Sequence, residues 1–225
     1  MKIKFLGHSC FSIEINGINI LIDPFISGNS LASQIDISSL KVDFILLTHA
    51  HQDHVLDTEV IAERTNAVIV SNYEIAMYYA AKDLQVHALN HGGTFITENF
   101  SAKYVNAIHT SSFADGTYGG VPGGFVITSK DKNLYVAGDT AVTMDMKLIP
   151  MFTKLDAAIL PVGDTFTMGV EDAIIASDLV ECNKVIACHF NTFPPIEIDA
   201  NDAKSKFASK GKELIVLEIG ENIHI

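Results

Sequence analysis

Residues 42–54 read VDFILLTHAHQDH. An apolar run with no alternation is what a strand buried on both faces needs. Here it ends abruptly in His49, His51, Asp53 and His54. Burying that many ring nitrogens and carboxylate oxygens without partners would cost about 1–3 kcal/mol for each unpaired group. A structural histidine satisfied by one hydrogen bond explains any single one of them, but not the cluster. The cluster therefore requires a fold that brings strand ends to a common edge and supplies further coordinating groups there.

Three other apolar runs end in the same way. KYVNAIH ends at His109, LYVAGD at Asp139 and KVIACH at His189. In an extended chain residues i and i+2 point the same way, so His49 and His51 can share one ion. His109 would add a third nitrogen and leave a position open for water. Asp53 and His54 begin the following turn and, with His189, could hold a second ion. Asp139 could bridge the two. Nitrogen and oxygen donors suit two divalent ions, Zn²⁺ first, with Mn²⁺, Fe²⁺ or Ni²⁺ also compatible.

The rest of the chain alternates between strand and helix patterns. KIKFLG and CFSIEI alternate, INILID follows, and Asn16–Gly17 is a two-residue hairpin signal. Residues 25–41 read as an irregular polar loop. DTEVIAERT and NYEIAMYYAAKDL read as helices, the second capped by Asn72. Strand patterns dominate from about residue 85 to 137. Helical patterns then return as MDMKLIPMF, VEDAIIASDLV and DANDAKSKFAS, between the strands LDAAILPV, KVIACH and ELIVLE. With no linker or composition break, residues 1–225 are expected to form one α/β domain, two sheets packed on each other with helices outside.

Lys plus Arg is 15 and Asp plus Glu is 27, a formal charge of −12. That balance disfavours nucleic acid, which needs a basic footprint. Three scattered cysteines form neither a disulfide framework nor a metal knuckle, and Cys10 and Cys188 are expected to be packing residues. The first residues lack a long apolar core, so they do not read as a signal peptide. The expectation is a cytoplasmic protein, without a membrane partner, acting on a small molecule, with homo-oligomerisation left open.

THAHQDH resembles the T-H-x-H-x-D-H signature of the metallo-β-lactamase superfamily, and His109, Asp139 and His189 follow in that superfamily's order. FLGHSCF, LIDPF, GVPGGFVI, AGDT, LPVGDTFTMGVEDA and CHFNTFPPI resemble a group of small metal-dependent hydrolases related to the L-ascorbate-6-phosphate lactonases. The resemblance spans essentially the whole chain. It implies an αββα sandwich, two mixed sheets with helices on the outer faces, and a dinuclear site at one edge. It also implies hydrolysis by a bridging hydroxide of a small polar or anionic substrate: a lactone, ester, amide or phosphodiester. Asp53 would help orient the nucleophile. His8 would contact substrate or donate a proton to the leaving group, if it is not simply a polar turn residue. Asp23 is the candidate acceptor behind a ligating histidine, or else a turn residue before Pro24.

Asp164, Thr165 and Thr167 would line the pocket, unless they serve the loop alone. Residues 24–41 and 111–124 are expected to shape it. YGGVPGG at 118–124 reads as a tight turn that also permits close backbone approach to a ligand. His87, His91 and the tail residue His224 are taken as non-ligands. Two alternatives stay open: a non-catalytic metal- or metabolite-binding module, and a nuclease-like phosphodiesterase. Within the superfamily, His51 stands where flavodiiron proteins carry an acid. The 225 residues and formal charge of −12 leave little room or charge for the tRNA-binding arm of the processing nucleases. β-Lactamase activity itself would call for export.

Overall fold

The computed structural model describes residues 1–225. Seven strands form the first sheet: β1 Lys2–Gly7, β2 Cys10–Ile15, β3 Ile18–Ile22, β4 Phe44–Leu46, β5 Val68–Asn72, β6 Val86–Leu89 and, returning from the far end of the chain, β14 Asn222–His224. The second sheet contains β7 Thr94–Ile96, β8 Phe100–Asn106, β9 Gly123–Ser129, β10 Asn133–Val136, β11 Ala157–Pro161, β12 Lys184–Cys188 and β13 Glu213–Ile215. The spatial orders are β14-β1-β2-β3-β4-β5-β6 and β13-β12-β11-β10-β9-β8-β7. Both sheets are mixed, parallel from β3 to β6 and from β10 to β13.

Between the sheets lies one apolar cluster in which Phe11, Ile20 and Leu46 of the first sheet meet Tyr104, Phe125 and Ile159 of the second. A second cluster covers the outer face of the second sheet with α4 Ile149–Phe152, α5 Val170–Leu179 and α6 Ala200–Ser209. A third covers the outer face of the first sheet with α2 Thr58–Thr65 and α3 Tyr73–Ala80. The architecture is the αββα sandwich. No helix is long and apolar enough to cross a membrane.

Local chemistry accounts for most element ends. Asn16 (φ 51°) and Gly17 (φ 82°) make the hairpin turn between β2 and β3. The Asn72 side chain accepts from the Ile75 amide at 2.9 Å and caps α3. Four expectations needed correction. The run 42–48 forms regular strand only over β4, with single backbone bonds continuing at Asp43 and Leu47, and Thr48 turns its amide to the Asp23 carboxylate instead of a neighbouring strand. MDMKLIPMF is not one helix: a 3₁₀ turn, Met144–Leu148, precedes the four-residue α4, which begins at Ile149 with Pro150 in its first turn. Residues 25–41 carry two 3₁₀ turns, Ser30–Ala32 and Ile37–Ser39. His224 is not in a free tail, since it pairs with Lys2 in β14.

Asp57 does more than favour the start of α2. Its buried carboxylate accepts from the Ile26 amide (2.6 Å), the Ser27 amide (2.9 Å) and the Ser27 hydroxyl. It thus ties residues 26 and 27 to the helix below them. Asp57→Ala would strand these donors in the interior and is expected to lower stability by about 2–4 kcal/mol. A urea titration with an unchanged slope and a lower midpoint is the expected result.

Candidate metal centre

The four residues of the opening motif sit where β4 gives way to a short helix, α1 Gln52–Val55. His49 lies three residues past the end of β4 and is fully buried; His51 precedes α1; Asp53 and His54 lie within it. The second sheet contributes its groups from the same edge. His109 follows β8, Asp139 follows β10 and His189 follows β12 directly. His8, Asp23 and His189 occupy the left-handed backbone region (φ 57°, 42° and 53°), which non-glycine residues enter at a cost. The His189 amide donates to the His8 carbonyl at 2.9 Å, joining the two sheets at this point.

Two groups of side chains converge. In the first, the rings of His49, His51 and His109 stand 4.7–5.1 Å apart and nearly perpendicular to one another. In the second, Asp53, His54 and His189 gather, with His8 beside them. Asp139 stands between the groups. Its Oδ2 is 3.0 Å from His189 Nε2, 3.4 Å from His54 Nε2, 3.6 Å from His109 Nε2 and 3.9 Å from His49 Nε2. All seven ligands expected from the sequence are thus brought together.

The donor set fits divalent cations. His54 Nε2 and Asp139 Oδ1 are buried and have no hydrogen-bond partner. His51 Nε2 lies 3.3 Å from the Thr110 hydroxyl, and His49 Nε2 lies 3.1 Å from His51 Nδ1. In the tautomer where Nε2–H of His51 donates to Thr110, two lone pairs face each other across that gap. A tetrahedral ion with bonds of about 2.0–2.1 Å would hold two such nitrogens roughly 3.3 Å apart. A shared cation turns this repulsive contact into coordination.

Behind these groups lies a framework that the sequence only partly discloses. Asp23 Oδ2 accepts from His54 Nδ1–H at 2.9 Å and from the Thr48 hydroxyl at 2.6 Å, while Oδ1 accepts from the Thr48 amide at 2.9 Å. The Thr48 oxygen accepts in turn from His49 Nδ1–H at 3.0 Å. Asp23 therefore orients one histidine of each group, as expected of an outer acceptor. Thr48, Thr110 and Thr192 were missed, because a threonine beside a motif carries no signal of its own.

His8 is not where the sequence reading put it. It is 1% exposed, is not among the residues lining the cavity over the cluster, and turns its ring to Asp53. Burial is the largest effect on its ring and lowers its pKa to about 4, against the opposing Asp53 contact. The neutral ring donates Nε2–H to Asp53 Oδ2 at 3.1 Å and accepts at Nδ1 from the Thr192 hydroxyl at 2.9 Å. This contact holds one face of the Asp53 carboxylate.

Above the two groups opens a cavity of about 310 Å³, lined by His51, Asp53, His109, Asp139 and His189 together with Thr110, Phe166 and Phe193. Asp164 and Thr167 are not in this lining, which corrects the expectation for them. The Asp164 carboxylate accepts from the Thr165 amide (2.7 Å) and shapes the loop, and Thr167 bonds to the Met168 carbonyl (3.3 Å). Phe166 is the residue that this loop presents to the cavity. Residues 24–41 approach only through Phe25, which packs on His8 and Phe193. Residues 111–124 supply no wall. Added side-chain atoms at Gly119 and Gly120 would collide with Ala50 and Asn72, so these glycines serve packing. His91 donates Nε2–H to the Pro122 carbonyl at 2.9 Å and His87 packs on Phe95, both away from the cluster.

The charges of the two groups differ. Burial, followed by the charge of His54, holds His49 well below the usual histidine range. Burial likewise lowers His51 and His109. Burial opposes charge on His54 too, but the carboxylates of Asp139 and Asp23 overcome it and raise its pKa well above the usual value. Without a cation, a proton on His54 compensates the two acids.

A family model described as a beta-lactamase superfamily domain matches residues 2–189. The chain is 61% identical to a UPF0173 metal-dependent hydrolase of Christiangramia forsetii, over 100% of both chains. It is 43% identical to one of Methylacidiphilum infernorum, over 99% of both. Among solved structures it is similar to Igni18, a metallo hydrolase of the archaeon Ignicoccus hospitalis, with a TM-score of 0.90 and 35% identity over 99% of this chain and 97% of that one. The fold also matches an isothiocyanate hydrolase from Delia radicum gut bacteria, with a TM-score of 0.79 at 19% identity, covering 100% and 99% of the two chains.

Metal ligands must be deprotonated. A cation has to displace the proton of His54, whereas burial disfavours the charged forms of His49, His51 and His109, which are neutral at neutral pH. Acidification of a metal-loaded sample is expected to release metal in two steps, first from the group containing His54, then from the three-histidine group. Metal content measured along a descending pH series checks this; loss in the reverse order, followed in His109→Ala and His189→Ala variants, contradicts it. Asp23→Asn keeps the shape but not the acceptor pair, and should weaken metal retention against a competing chelator by roughly 10–100-fold.

Proposed function

The chain belongs to the beta-lactamase superfamily and is a metal-dependent hydrolase, and we propose that it works with two divalent cations, zinc foremost, on a small substrate in the cytoplasm. His49, His51 and His109 would hold one ion, Asp53, His54 and His189 the other, with Asp139 shared. The observation that carries this reading is the convergence of these seven side chains, five of them lining one cavity with His49 and His54 buried beneath, and with buried donor atoms left unpaired. Cations bound there supply a water acidic enough to be deprotonated near neutral pH and a Lewis acid for a carbonyl or phosphoryl oxygen.

The protein's own groups do the rest by position. Asp53 borders the cavity with its side chain 29% exposed, while its other face is fixed by His8. Burial works against the charge on Asp53, but the His8 hydrogen bond and the charge of His54 prevail and hold the acid well below the usual carboxylate range. Asp53 is therefore an anion throughout the neutral range. It suits the tasks of ligand and of acceptor for a nucleophile's O–H, rather than that of proton donor. His189 lies beside Asp53 on the floor, 3.8 Å from its Oδ2, and Asp139 stands between the two groups. Thr110 fixes the His51 ring at the rim.

Turnover of a generic ester or phosphodiester should vanish on addition of a strong chelator and return with Zn²⁺ or Mn²⁺. His51→Ala should reduce that turnover at least about 100-fold. Metal analysis of the saturated protein should give close to two ions per chain. Unchanged turnover in His51→Ala would remove the hydrolase assignment from this site, and a stable metal content of zero would remove the cations.

A further inference from the structure

Resting on the hydrolase reading above, we infer that the part of the substrate remote from the cleaved bond is uncharged, and that this aryl or alkyl group is held between Phe166 and Phe193. Above its polar floor the cavity has three further wall residues, Thr110, Phe166 and Phe193. Phe166 is 56% exposed and Phe193 36% exposed. Large apolar side chains left open beside a cavity mark a surface that is completed by a ligand.

The two aromatic walls are built into one framework. Phe193 rests edge-on against the buried His8 ring (5.5 Å, 67°) and beside Phe25 (6.2 Å). Phe166 stands on a loop closed by the Gly163–Gly169 bridge and by the Asp164 amide donating to the Met168 carbonyl at 3.0 Å. Asp164 and Thr165 both adopt left-handed backbone (φ 61° and 57°), an unfavourable pair for residues with side chains. The Thr165 hydroxyl then donates to the Pro195 carbonyl at 2.8 Å, joining this loop to the one that carries Phe193. A strained and cross-linked pair of loops thus holds an aromatic ring in the open, at the mouth of the cavity.

Charge points the same way. No lysine or arginine lines the cavity. The chain's single arginine, Arg64, is taken up by the carbonyls of Ile37 and Leu40 on the far side of α2. The glycine run 119–124 is filled by Ala50, Asn72, Tyr104 and Val136, so it offers no backbone cradle for an anion. The formal charge of −12 repels anions at longer range. Cations on the floor would attract the reacting end only; a carboxylate or phosphate at the other end meets aromatic rings. The anionic substrates expected from the sequence therefore fit less well than neutral ones. A volume of about 310 Å³ is near the lower limit for small-molecule sites, so the group is compact.

The test uses the full chain reconstituted with Zn²⁺ and two esters alike at the scissile bond, neutral 4-nitrophenyl butyrate and 4-nitrophenyl hemisuccinate, which ends in a carboxylate. The neutral ester should be preferred in kcat/KM by roughly tenfold or more. Phe166→Ala should raise KM for the butyrate about fivefold more than for the hemisuccinate, so that the preference falls about fivefold. Calorimetry with the unreactive pair butyranilide and succinanilic acid reads the same preference without turnover. Phe166→Ala is the decisive variant, since the side chain is exposed and its loss does not endanger the fold. Equal or better use of the hemisuccinate, a preference unchanged by Phe166→Ala, or no calorimetric binding of butyranilide overturns the proposal. Failure of the hydrolase reading looks different: neither ester is cleaved, while calorimetry still ranks butyranilide first and Phe166→Ala narrows that ranking.

Discussion

The centre depends on one buried carboxylate. Asp23 takes the Thr48 amide, the Thr48 hydroxyl and the ring N–H of His54, and through Thr48 it also fixes the ring of His49. Burial, the largest influence, raises its pKa, and these donors offset part of that cost. Just past the end of β4, the Thr48 amide leaves the sheet to reach Asp23. The turn past a strand end and two ligand tautomers are thus set by one group. Removing such an acceptor would leave several donors stranded together, at a cost larger than any one hydrogen bond suggests.

What the sequence made legible follows from how dense the signal was. The run of His49, His51, Asp53 and His54 after a buried strand could be read from chemistry alone, and three other strand ends supplied the matching groups. The sheets and most helices followed from periodicity, and Asn16–Gly17 and Asn72 from turn and cap chemistry. The order of strands in each sheet could not be read in this way, since pairing partners lie far apart in the chain. The return of β14 to the first sheet was invisible for the same reason, being three residues long at an edge.

The misplacements share a cause. His8, Asp164 and Thr167 are polar residues close in sequence to the site, and polarity was taken as a sign of contact with substrate. In the structure these residues satisfy local backbone or neighbouring side chains, which is the commoner employment of such groups. The walls of the cavity are instead Phe166 and Phe193, which look like ordinary core residues until the loops around them are seen. Phe166 follows positive-φ residues Asp164 and Thr165, and Phe193 follows positive-φ Asn191; none of these three is a glycine that would have announced the turn. Thr48 and Thr192 were equally silent, because a hydroxyl's partner is set by tertiary geometry.

The centre draws four groups from the first sheet's edge and three from the second, with His189 the last in the chain. During synthesis, a chain extended only as far as β11 already holds His49, His51, Asp53, His54, His109 and Asp139. It lacks the residue whose amide anchors the His8 carbonyl and whose ring meets Asp139. The link between the β1–β2 corner and the end of β12 can close only after residue 189 has left the ribosome. The nascent protein therefore remains without a finished reaction centre for most of its time in translation, and the residue that completes the centre also adds the last of several ties between its two sheets.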